Sequence, residues 1–592
     1  MKKGFTLIEL LAVIVILSVI ALIATPLILN VVEESKKKAS IESVNGIIDA
    51  AEKYQITGML EGNIESRFEF PNDKLQYKGT KPESGTLIID EEGKISITVK
   101  INGYCIRKRF TENTPSIIET DNCTIEDSEL VYAEKYKEEI LNGADPEIKD
   151  NLIPVTISTN GTVKYADIKR EWYSYKNKVW ANAVILKEGV TRTVGEIIPE
   201  SDIKQYYVWI PRYKYQLWNV NGENKYPKGT SESAINIVFE NKETEASNGT
   251  QNGEWLTHPA FTSFNTNGIW VGKYETSYDE ETYTDSSKFL TANPNYAAAT
   301  KASNIIIKPN VRSLTMKSVS ESYILGRGVN ENLNSHMMKN SEWGAVTYLT
   351  YSLFGKCTED SCEEIYINNI NTGYRGNTAK FSGQFEYGGS ITGCSGSSAT
   401  ASVSSNQKAC APGYAYNEVN NKASTTGNIS GIYDMSGGAW EYVMGVIKDI
   451  NGKPISGRNN KYNSGFNGTY GCPTCGDQTV TSKTDGIEFP TDTRYYDLYE
   501  PNSTELGDDT WYKYENGHLG DGTKEITVSK TNSSSGDRGI WYQNYTIYPT
   551  ATYPWISRGG STKDDAGAGL FYFNRGTGGV STQFSSRVVL AY

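Results

Sequence analysis

The sequence predicts an α+β fold: a long amino-terminal helix with a small antiparallel sheet, followed by a much larger, loop-rich β domain. Three observations carry this. Residues 5–32, FTLIELLAVIVILSVIALIATPLILNVV, contain one charge, Glu9, and as a helix are long enough to cross a hydrocarbon core of roughly 30 Å. Helical spacing then continues, with Val44, Ile47, Ile48 and Ala51 on one stripe and charges opposite. Beyond it, short segments rich in β-branched and aromatic residues are separated by Asn, Ser, Thr and Gly, which favours strands joined by long ordered loops.

At 592 residues the chain exceeds one ordinary core, and length alone suggests about three to five domain-sized units. The divisions expected are a leader at 1–4, a membrane and assembly helix at 5–32, and a small globular domain at 33–125. A linker and β-rich connecting region at 126–200 and a large domain at 201–592 follow. The small sheet is read from GTLIID and GKISITVKI.

Composition narrows the function. A net charge of −12 argues against a surface that tracks phosphates, so no nucleic-acid partner is expected. The only histidines are His258, His336 and His518, too few for a multi-histidine metal centre. Eight cysteines fall into four local pairs, Cys105 with Cys123, Cys357 with Cys362, Cys394 with Cys410 and Cys472 with Cys475. Sequence alone allows about a hundred connectivities, and local pairing in an exported, oxidised protein is the reading adopted.

At the amino terminus, Lys2 and Lys3 favour a cytoplasmic start. The plain reading of the apolar run is a secretory signal or signal anchor. Glu9 speaks against it, because a carboxylate inside an apolar helix costs a few kcal/mol unless a cation compensates. The residues G-FTLIE resemble the type IV prepilin family. That resemblance implies a prepilin peptidase that cuts after Gly4, N-methylation of Phe5, and pairing of Glu9 with the amino terminus of a neighbouring pilin subunit. It also implies a single-pass precursor in the inner or cytoplasmic membrane that passes to an extracellular filament or the cell surface. Pro26 sits where the family's helix is commonly kinked.

Five ordered segments of the large region resemble the formylglycine-generating-enzyme-like family, a branch of the C-type-lectin-like folds. They are YYVWIPRY at Tyr206–Tyr213, GIWVGKYETS at Gly268–Ser277, EWGAVTYLTYSLFG at Glu342–Gly355, GNISGIYDMSGGAWEYV at Gly427–Val443, and WISRGGS with SSRVVLAY near the end. Asp434, Gly437, Trp440 and Glu441 fit the family's pattern, and Gly438 stands where an Asn is usual. Oxidising members need a cysteine pair near the carboxyl end, and no cysteine follows Cys475. The resemblance therefore implies the fold without the chemistry, and no catalytic residue is assigned. Calcium, through Asp434 or Glu441, is the one cofactor it allows. Trp209, Trp270, Trp343 and Trp440 are read as core.

The tail places aromatics among small polar residues, a composition suited to recognition. Phe571, Phe573 and Phe584 are expected to point inward, and Tyr572, Asn574, Arg575, Thr577, Thr582 and Gln583 to form an outward ligand-binding face. This end also resembles the variable region of lectin-fold proteins diversified by retroelements. The function expected is a minor or tip type IV pilin whose lectin-like head binds an extracellular protein or glycan. The alternatives are a pseudopilin of a secretion or DNA-uptake system and a pilin-tethered enzyme.

Overall fold

The computed structural model describes residues 6–61, 67–89, 93–120, 122–125, 136–284, 300–368, 390–399, 410, 413–418, 421–448, 454, 464–467, 487–500, 517–526, 537–550, 553–561, 564–581 and 583–592. The chain divides into two compact units, Met1–Tyr136 with Ile168–Arg170, and Lys137–Asp167 with Glu171–Tyr592.

In the first unit, helix α1 (Leu7–Glu61) runs unbroken through position 26. Its amino-terminal half exposes Leu7, Leu11, Ile16, Leu22, Leu29 and their neighbours. Its later half buries Val44, Ile47 and Ala51 completely, the stripe read from spacing, with Ile48 partly covered. These side chains pack on an antiparallel meander of β1 (Arg67–Phe70), β2 (Ser84–Ile89), β3 (Ile95–Ile101), β4 (Tyr104–Lys108) and β5 (Ser116–Ile118), in that spatial order. Phe68, Leu87, Ile97, Val99 and Ile106 form the opposing side of the core. Cys105, opposite Ile118, closes a disulfide to Cys123. Among the described residues no helix is long and apolar enough to cross a membrane. The run read from the sequence passes through Ile23, Pro26 and Leu27, whose side chains lie outside the described residues.

The second unit is built on an eight-stranded antiparallel sheet. Its order is His336–Met337, Val588–Leu590, Gly268–Gly272, Ile203–Pro211, Asn182–Leu186, Ile153–Ile157, Val163–Tyr165 and Ile197–Ile198. Ile203–Pro211 is buried on both faces from Gln205 to Pro211, as a central strand must be. Trp209 lies opposite Trp270 with ring centroids 5.2 Å apart, and their indole N–H groups donate to the carbonyls of Ala144 and Glu147, both at 2.9 Å. The expected connecting region at 126–200 is therefore corrected. Its residues 153–198 supply four strands to this sheet, and the unit begins at Lys137, because strand pairing brings those segments into one core.

A second, mixed sheet carries the carboxyl-terminal segments. Trp440–Ile447 runs between Asp497–Tyr499 and Trp555–Arg558, followed outward by Phe573–Gly576, Tyr545–Thr546 and Asp537–Arg538. Phe584–Ser585 pairs in parallel with Trp440–Glu441. The helix Asn340–Thr350 is buried at every residue, and the Trp343 indole donates to the Leu570 carbonyl at 2.8 Å. Disulfides join Cys357 to Cys362 and Cys394 to Cys410, as local pairing predicts, whereas Cys472 and Cys475 lie outside the described residues.

Candidate functional site

The G-x-Y-D-M-S-G-G-A-W-E stretch turns sharply into the strand Trp440–Ile447, and its acids meet partners far away in sequence. Glu441 is buried and bidentate with Arg587, at 3.1 Å from Nε and 2.5 Å from Nη2. Arg587 also donates to the carbonyls of Gly272 and Tyr433 at 2.8 and 3.0 Å. Asp434 accepts from Asn368 Nδ2 at 2.9 Å and from the Gly393 N–H at 2.8 Å. Glu275 accepts from the Ala439 N–H at 2.9 Å and the Ser390 hydroxyl at 3.1 Å. Arg587 bonds Glu441, and its charge also acts on the buried carboxyls of Asp434 and Glu275. Burial pushes Asp434 up to about 6 against the pull of Arg587, and raises Glu441. Burial, with Asp434 and Glu441 adding repulsion, holds Glu275 well above the usual carboxylate range. Gly438 answers to this cluster: its φ is +70°, and a Cβ there would collide with Glu275 Oε1.

The calcium expectation meets this geometry directly. The Asp434 and Glu441 oxygens are turned toward N–H donors and a guanidinium, and a cation cannot share a site with those groups, so the pair does not fit a calcium ligand set. Among the described residues no group of three or more His, Cys, Asp or Glu side chains is arranged to hold a metal ion.

Above the cluster, strand alternation divides the residues expected to bind ligand. Register pairs Glu441 with Arg558, Arg558 with Phe573, and Ile556 with Arg575, placing Arg575 on the side of Glu441 and Phe573. Tyr442 and Asn574 pair with Ser557 on the other side. On that side Trp440 and Phe584 are both half-buried, with centroids 5.3 Å apart, and Phe584 stacks on Tyr442 at 4.2 Å. The Trp440 N–H donates to Asp564 Oδ2 at 2.8 Å, an atom that also accepts from the Ser561 N–H and hydroxyl at 2.7 and 3.0 Å. Asn574 Nδ2 donates to the Tyr572 hydroxyl at 2.9 Å. The Trp440 N–H donates to the Gln583 carbonyl through its backbone at 3.0 Å.

Several expectations are corrected here. Tyr572 does not face out: it is fully buried, its hydroxyl capped by Asn574, because Phe571, Tyr572 and Phe573 all enter the core before the strand's alternation begins. Trp440, read as core, is half-buried and sits at the surface of the face. Arg575 is half-buried on the opposite side of the sheet, over the ring of exposed Tyr553 at 5.1 Å. Asn574, Thr577 and Gln583 are half-buried, Phe571 and Phe573 are buried, and Thr582 lies outside the described residues. His518, one of the three histidines, stacks on Tyr499 with ring centroids 4.3 Å apart and acts electrostatically on buried Asp497.

Sequence reasoning missed Glu275, Asn368 and Arg587. The available signal is a charge embedded in an apolar strand, as in SSRVVL and VGKYETS. It also missed the role Glu9 plays within its own chain. Glu9 Oε2 accepts from the Thr6 N–H at 2.9 Å and hydroxyl at 3.0 Å, and the Glu9 N–H donates to Thr6 Oγ1 at 3.3 Å. T-L-I-E is a capping box, legible in the sequence, that closes the first turn of α1. Gly4 and Phe5 lie outside the described residues.

Residues 1–25 match the family model described as the prokaryotic N-terminal methylation motif. The motif marks this amino terminus as that of a pilin- or pseudopilin-type protein. It implies processing by a prepilin peptidase, a membrane-anchored precursor and assembly with other pilin subunits. A comparison with curated proteins finds no match to the chain.

Proposed function

We propose that the chain is a minor or tip subunit of a type IV filament, presenting a catalytically inactive, lectin-like head to an extracellular ligand. The observation that carries the reading is the separation of the methylation motif, confined to residues 1–25, from a second compact unit of Lys137–Asp167 and Glu171–Tyr592. Exposed apolar side chains from Leu7 to Val32 supply what lipid, and then neighbouring helices, would cover. The five segments that resemble the formylglycine-generating-enzyme-like family all lie in the second unit and supply its central strands, its buried helix and its carboxylate cluster. A head of this bulk would crowd every position of a helical filament, which favours low copy number.

Mass spectrometry of the chain recovered from its native cells tests the delivery step: the mature amino terminus is expected at N-methylated Phe5. Glu9→Ala is expected to leave cleavage intact and to lower recovery in sheared filaments by roughly tenfold or more, since the helix then lacks its charge partner. Full filament incorporation of Glu9→Ala would contradict the assembly role. A chain recovered only with an outer-membrane secretin would favour the pseudopilin alternative.

A further inference from the structure

We propose that the recess lined by Glu232, Glu364, Tyr351 and Tyr542 binds a primary alkylammonium group, such as a lysine side chain presents. The assignment holds whether or not the chain is displayed on a filament. Glu364 follows the Cys357–Cys362 disulfide, and Glu232 lies in the loop after Tyr226. Trp541 and Tyr542 belong to the turn between Asp537–Arg538 and Tyr545–Thr546. Glu232, Glu364, Tyr226 and Tyr542 are half-buried and form the sides, while Tyr351 and Trp541 are fully buried and close the floor. The Tyr351 ring centroid lies 5.2 Å from that of Trp541 and 5.4 Å from that of Tyr542, and Tyr226 lies 5.8 Å from Trp541. An ammonium among such rings gains cation–π attraction besides ion pairing.

Charge is the first sign of a missing cation. Glu232 is met by the Tyr226 hydroxyl at 3.5 Å and Glu364 by Asn544 Nδ2 at 3.3 Å, and the two carboxylates repel each other. Among the described residues no Lys or Arg pairs with either, whereas the adjacent Glu363 is held by Lys356 at 3.1 Å. The second sign is unmet hydrogen bonding. The Tyr351 and Tyr542 hydroxyls are buried and bond no described residue, the Ile365 N–H acting on Tyr351 only from outside bonding geometry. Both hydroxyls feel Glu232 and Glu364, which puts them at the carboxylate pair. Two carboxylates and two hydroxyl oxygens suit the three N–H donors of a primary ammonium. Calcium would require six or more oxygens, usually with a third acid. Burial, opposed by the Asn544 amide and aided by Glu232, raises Glu364 to about 8 in the empty site. An arriving ammonium displaces that proton, so affinity rises with pH up to about 8.

Titration calorimetry of the full-length processed chain with Nα-acetyl-lysine methylamide, n-butylamine, tetramethylammonium and calcium tests the site. Both primary amines are expected to bind. Tighter binding of the lysine amide assigns the group to a protein, and equal binding assigns it to free amines. Tetramethylammonium, which has no N–H, is expected to bind weaker by roughly tenfold or more. Glu364→Gln is expected to weaken amine binding by roughly tenfold or more and to abolish its rise between pH 6 and 8. Tyr542→Phe removes a hydroxyl that bonds nothing described in the chain, so it is expected to cost several-fold in affinity at an unchanged unfolding midpoint. No uptake of either amine, equal binding of tetramethylammonium, displacement of the amine by calcium, or affinities unchanged by Glu364→Gln and Tyr542→Phe would each overturn the assignment.

Discussion

Replacing Arg587 with Met is expected to destabilise the second unit by about 3–5 kcal/mol, the cost of breaking a buried ion pair by removing one partner. Arg587 is fully buried, holds both Glu441 oxygens, and is the guanidinium that pulls down Glu441 and Asp434 against burial. It also ties the carbonyls of Gly272 and Tyr433, so its loss leaves two acceptors and a carboxylate unmatched. Denaturant unfolding of the full chain reads the effect as a lower midpoint at an unchanged slope. Adding Glu441→Gln to Arg587→Met removes the stranded charge and is expected to recover part of the loss. A single variant as stable as the parent would show that the cluster is not a tie between the two sheets' segments.

The second large effect is on pH. Burial pushes Glu525 up to about 7 and Glu364 up to about 8. Both exceed the ordinary value of about 4.3 that the unfolded chain would show. Each folded value is raised, so the stability each group contributes is complete below the unfolded value and is lost as pH rises through about 7 and about 8. His258 works the other way. Burial depresses it to about 3, so its contribution is present above its ordinary value of about 6.5 and is lost only as pH falls. Between about pH 6.5 and 8.5 these two acids are expected to lower the stability of the second unit by on the order of 3 kcal/mol, while buried Lys273, which desolvation holds well below the ordinary ammonium range, acts in the opposite direction. Glu525→Gln preserves an oxygen for the Tyr215 hydroxyl and the Gly520 N–H, which reach Glu525 Oε1 at 2.7 and 2.9 Å. It is expected to flatten the dependence, and thermal unfolding of both proteins across this range measures it. A pH dependence that is the same in the parent and in Glu525→Gln would contradict the assignment of a protonated buried acid at Glu525.

What the sequence disclosed follows from how local the signal was. Helix α1 was legible because its stripe of Val44, Ile47 and Ala51 repeats within a few turns, and β2 and β3 because β-branched residues fill them. The disulfide partners are near in the chain, so pairing by proximity succeeded. The carboxylate cluster was not legible, since Glu441 and Arg587 are 146 positions apart and meet only after both sheets form. Tyr572 was misjudged for a related reason. Two-residue alternation holds only inside a strand, and this strand begins at Phe573, so Phe571 and Tyr572 follow the loop into the core. The connecting region was misread because its strands are short and find their partners across long loops.

Immunogold electron microscopy with antibodies raised against the second unit, applied to filaments sheared from the native cells, tests the central claim most directly. The account predicts sparse label at filament ends or at isolated points along them, lost in the Glu9→Ala strain. Label confined to the cell envelope, with filaments bare in the parent strain, would contradict it.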